Sequence, residues 1–145
     1  RSGTENMPAI AGIARALEIA EKIKEKESAR LTALRDYFIS EVEQKIFGAI
    51  LNGSCENRLP NNINISFTDI ESQLMVILLD AKGIAVSAKS ACSSEDEDAS
   101  YVVSALAREN WRADNSVRFS LGRHTTKKDV AKTIKVLLSI TEKYN

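Results

Sequence analysis

Cys92 sits in the run Ser87-Ala88-Lys89-Ser90-Ala91-Cys92-Ser93-Ser94, where no neighbour is apolar and larger than alanine. The ordinary fate of a free cysteine is burial as a small hydrophobe, but the sequence here has nothing to bury it with. Residues 88–99 are small, polar or acidic and cannot anchor themselves in a core, which predicts a mobile surface loop. A thiol on such a loop suits a nucleophile that must attack in one place and deliver in another. The acidic run Glu95-Asp96-Glu97-Asp98 opposes this by disfavouring the thiolate, so activation has to come from bound substrate or another part of the protein.

Arg118 is the second candidate. It lies in Ser116-Val117-Arg118-Phe119-Ser120-Leu121, where strict alternation puts Val117, Phe119 and Leu121 on one face and Arg118 and Ser120 on the other. Most strand arginines are solvated or salt-bridged. A guanidinium fork on a rigid strand is nevertheless well shaped to grip a carboxylate, such as that of an amino acid, through two parallel hydrogen bonds. Ser2-Gly3-Thr4 offers a hydroxyl and backbone amides in a small-residue turn, a weak signal for a phosphate cradle. His124, the one histidine, reads as a polar residue before a helix rather than a base. Trp111 and Tyr101 read as packing residues, and Cys55 as structural or incidental.

The elements that must position these groups follow from periodicity. Apolar residues at helical spacing (Ile10, Ile13, Leu17, then Leu31, Leu34, Phe38, Val42, Ile46) predict helix from Met7 to Phe47, with Pro8 in its first turn. The charged stretch Glu21 to Glu27 leaves open one long exposed helix or two with a joint. Ile50 to Cys55 reads as a short strand turning at Asn52-Gly53, and Arg58-Leu59-Pro60 as a loop. Ile63, Ile65 and Phe67 alternate with Asn62, Asn64 and Ser66, the mark of a half-buried strand. Glu71 to Lys82 reads as a helix burying Leu74, Ile77 and Leu78 and ending at Gly83. Ile84 to Ser87 reads as a short strand and Tyr101 to Ala107 as a short helix. Thr126-Lys127-Lys128-Asp129 resembles a capping box opening a last helix, striped by Val130, Ile134, Leu137, Ile140 and Tyr144. The expected fold is α/β, a two-layer sandwich of a small sheet packed against helices, in a single domain over residues 1–145.

Bulk properties narrow the class. Twenty basic and 20 acidic residues give a net charge of zero, which favours no nucleic-acid partner. The longest apolar run, Leu74 to Leu79, is far short of the roughly 20 residues a membrane span needs. Two cysteines, without a Cys-x-x-Cys pair or a histidine cluster, offer no metal-ligand spacing and suggest reduced cytoplasmic thiols. The opening Arg1-Ser2-Gly3-Thr4 has no initiator methionine and no leader composition, as expected of the interior of a longer protein.

Four segments in order, Arg1-Ser2-Gly3-Thr4-Glu5-Asn6-Met7-Pro8, Arg58-Leu59-Pro60-Asn61-Asn62, Ser90-Ala91-Cys92-Ser93-Ser94 and Ser116-Val117-Arg118-Phe119-Ser120-Leu121-Gly122-Arg123, closely resemble the cysteine desulfurases with a long cysteine loop. The resemblance covers essentially the whole chain and matches the C-terminal small domain of these fold-type I pyridoxal-phosphate enzymes. It implies that L-cysteine, bound through pyridoxal phosphate, loses its sulfur to Cys92 as a persulfide and leaves as L-alanine. Arg118 then matches the arginine holding the substrate carboxylate, and Thr4 a threonine reaching the cofactor phosphate of the neighbouring subunit in a homodimer. The persulfide would pass to an acceptor protein such as an iron-sulfur scaffold, or to a thiolation protein. Lys89 departs from the family, which usually has glycine there. The large cofactor domain is absent, so this chain alone is expected to be inactive. The alternative is a stand-alone sulfur-carrier or interaction module without cofactor.

Overall fold

The computed structural model describes residues 2–88, 100–107 and 109–144. Its elements in order are α1 (Met7–Lys45), β1 (Ala49–Leu51), β2 (Asn62–Phe67), α2 (Ser72–Asp80), α3 (Tyr101–Leu106), α4 (Trp111–Asp114), β3 (Ser116–Ser120) and α5 (Lys127–Thr141). The three strands form an antiparallel sheet in the order β1-β2-β3.

Alternation in β2 and β3 divides the sheet into two chemically opposite faces. Ile63, Ile65, Phe67, Val117 and Phe119 are buried, and they meet Phe38, Ile39, Val42 and Ile46 of α1 and its cap, Met75 and Leu79 of α2, and Val130, Ile134, Leu137 and Ile140 of α5. The Phe38 and Phe119 rings lie 4.9 Å apart between centroids. The other face carries Asn62, Asn64, Ser66, Ser116, Arg118 and Ser120, in register across the two strands. The expected two-layer α/β sandwich is thus present, with α1, α2 and α5 as one layer. The capping box forms as the sequence predicts: Thr126 Oγ1 accepts from the Asp129 amide and the Asp129 carboxylate accepts from the Thr126 amide.

Several local expectations change. Of the two readings left open for the charged stretch 21–27, the single long helix is the one present: α1 runs unbroken for 39 residues, about 58 Å at 1.5 Å per residue. Its apolar residues Met7, Ile10, Ile13 and Leu17 are exposed, between 48% and 65%, because only the C-terminal part of the helix meets the sheet. In α2 the buried side is Ser72, Met75 and Leu79, while Ile77 is 65% exposed and Leu74 is 36% exposed. Apolar residues surround this short helix almost completely, so periodicity alone leaves its rotation open and the fit to β3 decides it. Residues 84–86 form no strand, and only Ser87 bridges to β3. Tyr144 lies past the end of α5 and is 42% exposed, and Tyr101, expected to pack, is 70% exposed. Gly83 does turn the chain after α2, at φ +73°.

Candidate functional site

Arg118 is half-buried on the polar face of β3. Its backbone N–H and C=O both turn to Ser87, donating to Ser87 O at 2.7 Å and accepting from Ser87 N at 3.1 Å. In an antiparallel ladder a residue that is hydrogen-bonded on one side is the close, non-bonded partner on the other, with Cα atoms about 4.5 Å apart. That partner is Asn64. Asn64 in turn accepts from the Asn52 amide at 2.9 Å through its backbone oxygen. A single polar row therefore crosses the sheet in the order Asn52, Asn64, Arg118, Ser87.

The row is held from one end. Asn52 is 3% exposed, and its Oδ1 accepts from Arg112 Nε at 3.0 Å and Nη2 at 2.6 Å. A guanidinium can only donate, so the Asn52 oxygen has to face it and the Asn52 Nδ2 has to face away. Nδ2 donates to Asn64 Oδ1 and to Ser66 Oγ, both at 2.7 Å. Ser66 Oγ then donates to Arg112 O at 2.7 Å, closing the circuit.

Cover over this face is graded. Ser66 and Ser116 are fully buried beneath α4, Asn64 and Arg118 are half-buried, and Ser120 is exposed. The Arg112 to Asn64 network is thus shielded from water, while Arg118 stands at its edge, where a solute can reach it. The loop between β1 and β2 fixes Asn52 from below. Arg58 donates to Ser54 O at 2.9 Å, to Asn62 O at 3.3 Å and to Asn52 O. Arg35 Nη1 in turn donates to Arg58 O and Leu59 O at 3.2 Å. Burial, followed by the neighbouring Arg35 charge, lowers the Arg58 pKa.

Cys92 and Lys89 lie outside the described residues. The described residues that flank this segment are tied to β3 and to the helix before it: Ser87 pairs with Arg118, and Ser100 N donates to Ala113 O of α4 at 3.2 Å before capping α3. Thr4 is exposed ahead of α1, and the structure does not bring it near Arg118. The nearest tie between that helix and the β3–α5 connection is Arg30, which donates to Thr125 O at 2.7 Å, some 35 Å along the helix from Met7. His124 is exposed just before α5. Cys55 is an exposed free thiol in the β1–β2 loop, beside a shallow cavity lined by Asp36, Ile39, Ser40, Glu43 and Gln44.

Sequence reasoning placed Arg118 on its face but missed Asn52, Asn64 and Arg112. Asn64 was legible only as one polar residue of an alternating strand. Its pairing with Arg118 depends on register between segments 54 positions apart.

Among the described residues no helix is long and apolar enough to cross a membrane. The chain aligns with proteins named cysteine desulfurase IscS from Dictyoglomus turgidum, at 48% identity over 99% of this chain and 36% of that protein, and cysteine desulfurase IscS 1 from Archaeoglobus fulgidus, at 42% identity over 99% and 37%. It superposes on a solved NifS-like protein with a TM-score of 0.83 at 30% identity, covering 98% of this chain and 35% of that one. The chain thus spans about a third of the length of these relatives. The model of the aminotransferase class-V family matches residues 1–133, and the chain belongs to that family.

Proposed function

We propose that this chain supplies the substrate-carboxylate arginine and the sulfur-accepting thiol of a cysteine desulfurase. The observation that carries the reading is Arg118, held on a rigid strand at the edge of a buried polar network, with Ser87, the last residue but one before the Cys92 segment, paired to it. The names of the relatives point the same way, and their length, about three times that of this chain, does not favour a stand-alone carrier module. We read residues 1–145 as one folding unit of such a longer enzyme.

The family and the resemblance imply pyridoxal phosphate as cofactor. The described lysines lie on α1, on α5 or just after α2 and α5, with none on the strand face of Arg118. The residues here therefore suit the substrate end of the site, and the cofactor ring has to be held by the portion of the relatives that this chain does not span. When bound, pyridoxal phosphate acts as an electron sink that weakens the substrate C–S bond. Arg118 orients the substrate by gripping its carboxylate. The Cys92 thiolate attacks the substrate sulfur: an S–S bond forms, the C–S bond breaks with its electron pair left on carbon, and protonation there gives L-alanine. Cys92 is five positions after Ser87, so at about 3.4 Å per residue the cysteine Cα stays within about 17 Å of its anchor. Thr4 is read as reaching the cofactor phosphate of the second subunit of a homodimer. The persulfide then moves to an acceptor protein, an iron-sulfur scaffold or a thiolation protein, in the cytoplasm.

The test is the full-length protein with cofactor. Cys92→Ser should abolish sulfur release from L-cysteine, and mass spectrometry of the unmutated protein should find one added sulfur on Cys92. Undiminished turnover in the mutant would remove Cys92 from the mechanism. Arg118→Ala should weaken L-cysteine binding, and an unchanged affinity would refute the carboxylate role.

A further inference from the structure

Resting on the reading of Arg118 as a carboxylate anchor, we infer that Asn64 is the second donor of the same seat, aimed by Asn52 and Arg112. The argument follows hydrogen-bond direction. Arg112 can only donate, so it takes the Asn52 oxygen. Asn52 is then obliged to present its Nδ2 to Asn64 Oδ1 at 2.7 Å. With its oxygen committed toward β1, Asn64 has its own Nδ2 left for the opposite side, where its register partner is Arg118.

Arg118 is a donor as well. Two donor groups thus stand side by side in a close cross-strand pair, and among the described residues neither side chain donates to a protein acceptor. Open to solvent, the two donors are met by water, and a carboxylate that displaces it has two oxygens to share, one for the guanidinium fork and one for the amide. Half-burial strengthens both contacts while leaving the seat open. Asn64 is therefore a binding residue, and Asn52 and Arg112 are positioning residues that act through it.

The experiment measures equilibrium binding of L-alanine and of ethylamine, the same amine without the carboxylate, to the full-length cofactor-bound enzyme by the cofactor's absorbance. The ratio of the two affinities reports carboxylate recognition. Asn64→Ala should reduce the preference for L-alanine about tenfold, the scale of one hydrogen bond to a charged group, and leave ethylamine unchanged. Asn52→Asp keeps an oxygen toward Arg112 but offers a second oxygen to Asn64. It should reverse the Asn64 amide, turn its carbonyl to the seat and lower the preference in the same direction without truncating Asn64; it also carries the test if Asn64→Ala fails to fold. Arg118→Ala is the reference. If it removes the preference while both asparagine variants keep it, or if these weaken the two ligands equally, Asn64 is not a donor and Arg118 acts alone. If Arg118→Ala leaves the preference intact, the carboxylate seat itself is wrong and both readings fall.

Discussion

Replacing Asn52 with alanine isolates the polar network from the hydrophobic core. The side chain is 3% exposed, and its removal deletes two donated bonds, to Asn64 Oδ1 and Ser66 Oγ, and two accepted from Arg112. Neutral hydrogen bonds contribute about 1 kcal/mol each and those to a charged group about 1.5 to 3. Partial rehydration at the open edge and the bond that Arg112 retains to Leu51 O at 2.9 Å reduce the sum, to about 3 kcal/mol. For 145 residues at roughly 2.1 cal/mol/K per residue, the unfolding entropy is about 0.3 kcal/mol/K, so the midpoint should fall by about 10 °C. Circular dichroism melts of the chain with and without Asn52→Ala measure this directly. A double-mutant cycle with Arg112→Ala identifies the cause: if an unpaired guanidinium is the main cost, the second substitution should hurt less in the Asn52→Ala background, with coupling of about 1.5 kcal/mol. A fall of less than about 3 °C, or fully additive effects, would show that the circuit contributes little and that water replaces it.

Other perturbations test other levels of the fold. Met75→Ala empties a fully buried site between α2 and the sheet and should destabilise the chain by about 3 kcal/mol in urea titrations. Gly48→Ala places a methyl group against the Thr68 side chain at a backbone φ of +75° and should cost about 2 kcal/mol by the same assay. Thr126→Ala removes the α5 cap and should cost about 1 kcal/mol. The Thr126 hydrogen bonds hold the Asp129 carboxyl below its ordinary value of 3.8. Its contribution is therefore complete above that value and is lost as pH falls through the lowered one. The stability gap between the unmutated chain and Asp129→Asn, followed by melts over a pH series, should shrink on acidification below about pH 4.

What the sequence disclosed depended on whether a signal was local. The alternation in Ile63-Asn64-Ile65 and Val117-Arg118-Phe119 fixed both strands and their buried faces, because period two leaves a strand only two choices. The capping box at Thr126 and Asp129 was equally legible, since its partners are three residues apart. The buried side of α2 was not, because Leu74, Met75, Ile77, Leu78 and Leu79 offer several apolar stripes and the choice of Met75 with Leu79 is made by tertiary fit. The stripe of Ile10, Ile13 and Leu17 signalled helix correctly, but helical spacing alone does not say whether a stripe is covered, and these residues are exposed here. The site divided the same way. Arg118 was found from the face it occupies, whereas Asn52, Asn64 and Arg112 become a network only once three distant segments are in register.

The two faces of β3 bind recognition to stability. Val117 and Phe119 are held in the core, and because successive side chains in a strand point to opposite sides, seating those two sets the height and direction of Arg118 between them. The strand's free edge is taken by Ser87, and α4, just ahead of the strand, accepts from Ser100 through Ala113 O. Positions 113 and 118 therefore anchor the two ends of the segment that includes Cys92. A strain introduced at Phe119, for instance Phe119→Ala against Phe38, would move the proposed carboxylate seat and the Ser87 anchor together rather than separately. Weaker L-cysteine binding and slower sulfur transfer should then appear in parallel as that core is loosened, whereas a lesion at Asn64 should weaken carboxylate binding and leave the Ser87 anchor in place.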